Sequence, residues 1–412
     1  MRAKCPTRDR FQPAAASLFA MLLAAGVVSP SLAYQQAPSL DQAVETGELP
    51  PVDERLPAEP LVVEPVEQIG SYGGTWNSGL RGGGDGAWLS RTVAYEGLVR
   101  WDRNWENIIP NIATSWEVSD DGRAFTFRLR EGVRWSDGSP FTAEDVAFSL
   151  ELSQDLAFPG EVPPWMRNPD NPPSWEVLDD YTIVVRFEQS NGMFMQELAN
   201  VGGRQINHYN KAYCSQFYPK YNPEAESIAQ ERGFSDWGLL MLNRCATAGE
   251  IERWQNPELP SLAPWVLVEP YSGNARAVVL ERNPYYFKVD PEGNQLPYID
   301  RLEMRISESI DELTLMAMNG EIDFQDRHIA TVTNKPVFFD NQERGDYRFL
   351  TTIPSSSNTM VLQLNLNHDD PVLREIFNNK DFRIGLSHAI NRQEIIDVVF
   401  TGQGEPYQMA PR

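Results

Sequence analysis

The clearest pattern along the chain is an alternation of apolar and polar side chains after a turn at Asp121-Gly122. The apolar positions are Phe125, Phe127 and Leu129, and the polar positions are Thr126, Arg128 and Arg130. A period of two residues is typical of a strand with one buried face, and the turn favours a hairpin. We therefore expect an antiparallel pair whose first strand covers residues 115–118.

The pattern changes from strand to helix after Thr142. Asp145 follows three residues later, which is the spacing of a capping box at a helix start. Val146 and Leu150 then stand four residues apart, so they share one helix face. The organising unit of this stretch is a hairpin, a turn and a capped helix.

Further downstream the pattern predicts a second hairpin, a strand–helix–strand unit and a single strand. The hairpin joins 265–268 to 277–280, and the unit consists of a strand at 302–306, a helix at 311–318 and extended structure at 321–324. Connections of that kind build parallel sheets, so the fold class is α/β. A strand at 182–187 is expected to bring the chain back to the first lobe.

From about residue 330 the composition indicates the start of a second lobe. A strand is predicted at 360–366 and a helix at 382–400, which Gly385 and Asn391 weaken locally. Residues 34–67 are rich in proline and acids without clean periodicity, so they are expected to form a flexible, solvated leader.

Length and charge narrow the classes of function. A chain of 412 residues is too long for one compact core, which favours two or three domains. The formal net charge of −23 argues against a nucleic-acid partner, because no basic stripe exists to neutralise phosphates.

The first 33 residues have the features of an export signal. A basic start precedes the apolar run 14–28, and Ser31-Leu32-Ala33 is a small-x-small cleavage site. We expect cleavage after Ala33 and a periplasmic location. No cysteine stands at the cleavage point, so no lipid anchor is expected.

Cys214 and Cys245 remain after the predicted loss of Cys5 with the signal. In an oxidising compartment they could form a disulfide, or they could be two separate buried thiols. Their spacing in the sequence does not decide between these alternatives. We adopt the prediction that the two are close enough to bond.

The spacing of residues argues against a nucleotide site and against a metal site. The glycine-rich loop 81–88 lacks the Lys-Ser/Thr of a P-loop and the spacing of a dinucleotide fingerprint, so nucleotide binding is discarded. His208 has no second histidine at ligand spacing, with only Cys214 nearby, so it is interpreted as a hydrogen-bonded structural histidine. No cofactor and no metal are expected.

Several strings of residues resemble the signature of the family 5 solute-binding proteins, the peptide-binding family of bacterial ABC importers. They are Tyr95-Glu96-Gly97-Leu98-Val99, Pro110 to Trp116, and Asp145-Val146. The strings 281–290 and 293–300 resemble a subgroup that includes oligosaccharide binders. The resemblance implies a two-lobed periplasmic-binding-protein fold with an inserted domain, of which this chain would hold only the start of the second lobe.

The domain boundaries follow from this resemblance. The first lobe would be discontinuous, covering 68–98 and 179–329, with the small inserted domain at 99–178 and the second lobe starting at 330–412. The organising hairpin would be part of the scaffold, so its residues, Arg128 among them, are not expected to contact the ligand.

The candidate ligand contacts come from loops that face between the lobes. In the resembled family the loop after the first strand faces the cleft, which implicates Asp85 and Trp88; a core position for Trp88 is the alternative. Arg327 and His328 follow the last strand of the first lobe, where open α/β sheets place their ligands. The second lobe would contribute Ser357 and Asn358.

The resemblance and these candidate contacts predict a binding function, and one alternative function of another class remains. The resemblance implies capture of an oligopeptide or an oligosaccharide by a monomer, which then docks on an inner-membrane ABC permease. The rival is a secreted hydrolase acting on glycans through two carboxylates, although no nucleophile elbow or His-Glu-x-x-His motif is present. Nickel or haem binding, which belongs to other branches of the family, needs more than four scattered histidines.

Overall fold

The computed structural model describes residues 34–246, 251–351 and 360–407, which contain two four-stranded sheets and two short strand pairs. The strands are β1 Leu61–Val62, β2 Thr75–Leu80, β3 Val99–Trp101, β4 Ile108–Pro110, β5 Ala113–Val118, β6 Ala124–Leu129, β7 Ser174–Asp179, β8 Thr182–Arg186, β9 Trp265–Glu269, β10 Ala277–Arg282, β11 Lys288–Val289 and β12 Arg301–Ile306. The helices are α1 Asp41–Glu45, α2 Val52–Arg55, α3 Gly86–Val93, α4 Ala143–Gln154, α5 Phe194–Ala199, α6 Lys211–Cys214, α7 Ala225–Glu231, α8 Trp237–Arg244, α9 Ile310–Met318, α10 Lys335–Asp340, α11 Gln342–Gly345, α12 Pro371–Asn378, α13 Lys380–Ala389 and α14 Arg392–Val399.

The predicted hairpin and capped helix are confirmed. Strands β5 and β6 pair antiparallel in a sheet of order β5-β6-β8-β7, and Phe125, Phe127 and Leu129 are buried in its core. The Thr142 side chain accepts from the Glu144 amide, and the Asp145 carboxylate accepts from the Thr142 amide at 2.9 Å. These bonds satisfy donors that the first helical turn of α4 would otherwise leave unpaired.

The second sheet is mixed, in the order β2-β12-β10-β9. The predicted hairpin forms as β9 and β10, and β12 pairs antiparallel with β10 but parallel with β2. Leu80 is opposite Ile306 in the parallel pair, so β2 and β12 end at the same edge. Strands β5 and β6 therefore belong to one sheet and β12 to another.

Two predicted strands of the first lobe differ from the structure. The strand at 182–187 forms as β8, but it pairs with β6 and not with the sheet of β12, because its Ile183 and Val185 complete the apolar core under the hairpin. Residues 321–324 do not join a sheet as a strand. They lie beside β2, where the Asp323 amide donates to Asn77 O at 2.9 Å.

The prediction of a flexible leader over 34–67 is wrong. Its Arg55 side chain is buried and donates to Pro50 O, Pro284 O and the Gln36 and Gln295 side chains. Strand β1 pairs parallel with β11, which adds backbone bonds to a distant part of the chain. The low hydrophobicity of this segment suggested disorder, but the segment is held in place by contacts of polar side chains such as Arg55.

The predicted strand at 360–366 does not form either. The described chain offers it no partner strand, and Met360 and Leu362 are exposed. The helix predicted at 382–400 is divided into α13 and α14. Asn391 causes the break, because its side chain caps the second helix by accepting from the Glu394 amide at 3.2 Å.

Cys214 and Cys245 form a disulfide with a Cα–Cα distance of 6.1 Å, which confirms the predicted pairing. The bond joins α6 to the end of α8, and both sulfurs lie in a buried apolar cluster with Phe158, Leu240 and Met241. Thirty-one positions separate the two cysteines, so the bond restricts a sizeable loop of the unfolded chain.

Loss of this disulfide should lower the stability of the protein. Replacing both cysteines by alanine is expected to reduce the free energy of unfolding by roughly 3 kcal/mol, because a loop of this length gains entropy in the unfolded state. Urea unfolding with and without reductant measures the effect. Reductant should destabilise only the parent; equal stability of the parent and the double variant would contradict the prediction.

Candidate functional site

The candidate site lies at the edge where β2 and β12 end. After β2 the chain turns through Gly82, with φ at 151°, into a short 3-10 turn, Gly83–Asp85, that leads into α3. On the other side of β2, the Gln325 side chain donates to Gly79 O at 2.8 Å. The residues that follow Gln325 therefore reach the same edge as Asp85.

The Asp85 carboxylate is the centre of this site. It is only 3% exposed. It accepts from the Arg81 amide at 2.7 Å, lies 2.8 Å from His328 Nε2, and pairs with Arg327 Nε at 3.1 Å. A buried carboxylate without such partners would be costly. The charge on Asp85 therefore fixes the positions of two side chains more than 240 positions away in the sequence.

Arg327 keeps part of its hydrogen-bonding capacity free. Its side chain is 34% exposed, and its contact with Asp85 is an ion pair in which Nε is the nearest guanidinium nitrogen. The two terminal nitrogens have no acceptor within the part of the chain that the structure describes. Because Asp85 restrains the base of the guanidinium, the outer fork has a defined orientation toward solvent.

His328 holds the turn that presents this fork. Its φ of 58° lies in the left-handed region, which is uncommon for a residue other than glycine. The bond to Asp85 stabilises that conformation, and observed strain of this kind is frequent at binding sites.

The structure places Trp88 in the core, which is one of the two alternatives that the sequence left open. The indole is 2% exposed and packs in the core of the mixed sheet with Leu280 and Met304. Its Nε1 donates to Asp326 Oδ1 at 2.6 Å. The core alternative therefore describes Trp88 in this structure, because no ring face is open for stacking. Asp85 is likewise enclosed and acts on the site through Arg327 and His328.

Two further residues belong to the site without having been predicted. The first is Asp326, which accepts a hydrogen bond from the Trp88 indole. The second is Tyr271, whose hydroxyl is so close to Gly82 that a Cβ atom added to this glycine would lie 3.8 Å from it. Tyr271 follows β9, and nothing in its local sequence pattern indicates that it reaches the glycine loop. The predicted contacts Ser357 and Asn358 lie outside the described residues and stay predictions.

His208 has the structural role that the sequence predicts. Its Nε2 lies 2.6 Å from Ala246 O. Burial, together with the nearby positive charges of Arg253 and Arg204, lowers the pKa of His208 to about 3. Over the described ranges, no cluster of three His, Cys, Asp or Glu side chains is arranged to hold a metal ion.

Comparison with known proteins identifies the family. The sequence model of "Bacterial extracellular solute-binding proteins, family 5 Middle" matches residues 107–411. The chain belongs to this family. The family membership and the α/β fold that the resemblance implied are thereby confirmed.

Three relatives illustrate the range of the family. The structure of an oligopeptide-binding protein, OppA, is 38% identical, with a TM-score of 0.74 over 92% of this chain and 58% of that one. The periplasmic binding protein MelB from Agrobacterium fabrum, in complex with stachyose, is 26% identical, with a TM-score of 0.65 over 90% and 56%. A periplasmic α-galactoside-binding protein of Rhizobium meliloti is 26% identical over 88% of this chain and 52% of its own length.

The chain spans about half the length of the curated relatives that it matches. These relatives are named as binding proteins, which agrees with the absence of an enzymatic motif in the sequence. No helix among the described residues combines the length and apolar character that crossing a membrane requires.

The pKa of His208 predicts how stability changes in acid. The unfolded chain binds the proton near pH 6.5 and the folded chain only near pH 3, so stability falls as the pH drops through this window. The largest slope that one such group contributes is about 1.4 kcal/mol per pH unit.

The His208→Asn variant should lose this part of the slope, because an amide does not titrate. Urea unfolding between pH 7 and pH 4 measures it. The exposed His388 provides the control, and His388→Asn should keep the parent's slope. Identical pH dependence of the His208 variant and the parent would contradict the assignment.

Proposed function

We propose that this protein is the solute-binding component of an ABC importer and that it captures an oligopeptide with a free carboxylate. The observation that carries the proposal is the outer fork of Arg327, which is held by Asp85 and has no acceptor of its own among the described residues. The ligand would lie between the first lobe and the predicted second lobe, where Ser357 and Asn358 are the expected contacts.

The geometry of Arg327 suits a carboxylate. A guanidinium presents parallel N–H donors that match the two oxygens of a carboxylate, and such bidentate pairs are stronger than neutral hydrogen bonds. Orientation by Asp85 reduces the conformational entropy that the side chain would lose on binding. The site therefore favours an acidic group at one end or side of the ligand.

The charge of the whole protein makes a local cation necessary. The formal net charge is −23, which repels anionic oligomers at long range. Asp85 adds another negative charge at the site, but it is enclosed and already shared by Arg327 and His328. Arg327 is partly open to solvent there and Arg81 is exposed, so these two cations would supply the attraction at short range.

An oligosaccharide is the second candidate ligand. Two relatives at 26% identity are named for α-galactosides or for a complex with stachyose. Sugar rings bind by stacking on the flat face of an aromatic side chain. Trp88 is the aromatic residue that the sequence suggested for this contact, but its ring is buried. Tyr271, partly buried near the glycine loop, is the aromatic side chain that an oligosaccharide would contact instead.

Transport follows from closure around the ligand. Contacts that both lobes share shift an open–closed equilibrium, and the closed form would dock on an inner-membrane permease. We propose that the protein acts as a periplasmic monomer after cleavage behind Ala33. Binding would occur without turnover, in contrast to the rival glycan hydrolase.

Calorimetry of the full-length protein tests the proposal. A panel of oligopeptides and stachyose identifies the ligand class, and the best peptide is then compared with its C-terminal amide. If the peptide's terminal carboxylate contacts Arg327, amidation and Arg327→Gln should each weaken binding about 10-fold, or ~1.4 kcal/mol. The two changes should not add, because both remove the same interaction.

The control is Arg128→Gln, which removes an exposed arginine of the hairpin sheet and should leave the affinity unchanged. Full affinity of the Arg327 variant for every bound peptide would refute the carboxylate assignment. Tight binding of stachyose alone would favour the oligosaccharide, and release of shorter products would favour the hydrolase.

A further inference from the structure

A second site of unusual charge lies in a small cavity of about 30 Å³. Its lining includes Arg204, Asn207, His208 and Arg253. None of its lining residues belongs to the Asp85 site, so the cavity is independent of the function proposed above.

Two arginine side chains are buried around this cavity. Arg204 is 5% exposed, and its Nη1 donates to Ser90 O at 2.6 Å and to Ala94 O at 2.9 Å. Both partners are neutral carbonyl groups. Arg253 is 6% exposed, and its guanidinium lies 5.5 Å from the Trp254 ring centroid. Within the described ranges it has no hydrogen-bond acceptor and no carboxylate partner.

The one carboxylate of the lining does not neutralise these arginines. Glu96 accepts from Asn111 at 2.9 Å and from Tyr286 at 2.5 Å, and it forms an ion pair with Lys288 at 2.9 Å. Its charge is therefore balanced by a lysine that is itself buried. A buried positive charge that lacks a counter-charge is strongly unfavourable.

The pKa shifts at the cavity agree with this imbalance. Burial, together with the charge of Arg253, lowers the pKa of Arg204 to about 9. Burial alone lowers the pKa of Arg253 to about 10. The charges of both arginines also lower the pKa of His208. Arg253 thus lowers the pKa of both Arg204 and His208, and the Tyr95 phenol opposes this effect at Arg204.

We propose that the cavity binds one small monovalent anion, with the size and charge of chloride, next to Arg253 and Arg204. A cavity of this volume has room for one or two species of water size, which matches a single halide ion. The anion would supply Arg253 with the acceptor, and both side chains with the counter-charge, that the described residues do not provide.

The bound anion would connect three parts of the chain. Arg204 lies in the 3-10 segment Val201–Asn207, Arg253 in the 3-10 segment Ile251–Trp254, and the carbonyl partners of Arg204 lie on and just after α3. Binding to the folded protein alone raises its stability by mass action. Folding stability should therefore respond specifically to halide.

A water molecule is the competing occupant. Asn207 Oδ1 is buried without a donor among the described residues, and a water can donate to it whereas an anion cannot. Crystals of the intact protein grown in sodium bromide distinguish the two by anomalous scattering. The proposal expects a bromide peak within about 3.5 Å of the Arg253 guanidinium, whereas a water at saturating bromide would overturn it.

Thermal unfolding provides an independent test in solution. Sodium chloride and sodium bromide are compared with sodium gluconate at equal ionic strength, because gluconate is too large for the cavity. The melting temperature should rise saturably, by several degrees, with halide only. An equal response to gluconate would overturn the proposal.

Two variants connect the response to the cavity. Arg253→Gln should lose the halide-specific rise, since it removes the charge and retains a polar side chain. Arg91→Gln is the matched control, because Arg91 also repels Arg204 electrostatically but is exposed. It should keep the rise. A halide-specific rise that persists in the Arg253 variant would overturn the proposal.

Discussion

The site depends on one enclosed carboxylate. Asp85 lies where β2 gives way to α3, and its two oxygens bond to the backbone before the helix and to two side chains beyond α9. A carboxylate can stay charged in such a place only if these partners remain in position. Asp85 in turn holds its partners in place, because the same contacts fix Arg327 and His328 at the edge of the sheet.

A second enclosed carboxylate, Glu96, has the corresponding role for the scaffold. It joins α3 through the following loop to Tyr286 and Lys288, and Lys288 lies in β11, which pairs with β1 of the N-terminal segment. The pKa of Lys288 falls to about 8, mainly through burial, although the charge of Glu96 opposes the shift. Polar contacts of this kind explain why a segment with little apolar character is packed.

Local features of the fold could be predicted from the sequence, and long-range pairing could not. The alternation at Phe125 and Phe127 identifies a strand and its buried face, and Thr142 with Asp145 identifies a helix start. A period of two residues does not say which strand is the neighbour, and so the pairing of β8 with β6 could not be predicted. The strand expected at 360–366 shows the same limit, because a strand needs a partner as well as a pattern.

In the candidate site, too, local features could be predicted from the sequence and long-range contacts could not. Asp85, Arg327 and His328 could each be selected by their position after a strand, but their direct contact depends on the parallel pairing of β2 with β12 and on the course of residues 323–325. Trp88 could be open to a ligand or buried in the core, since a tryptophan one turn into a helix suits either position. Only the packing of Leu280 and Met304 around it decides for the core.

The most direct test of the account is a crystal structure of the intact protein with its bound oligomer. The account predicts a ligand carboxylate with its oxygens about 3 Å from the terminal nitrogens of Arg327, while Asp85 still pairs with Nε. A bound ligand whose acidic group lies elsewhere, with the outer fork of Arg327 facing only solvent, would contradict the central claim.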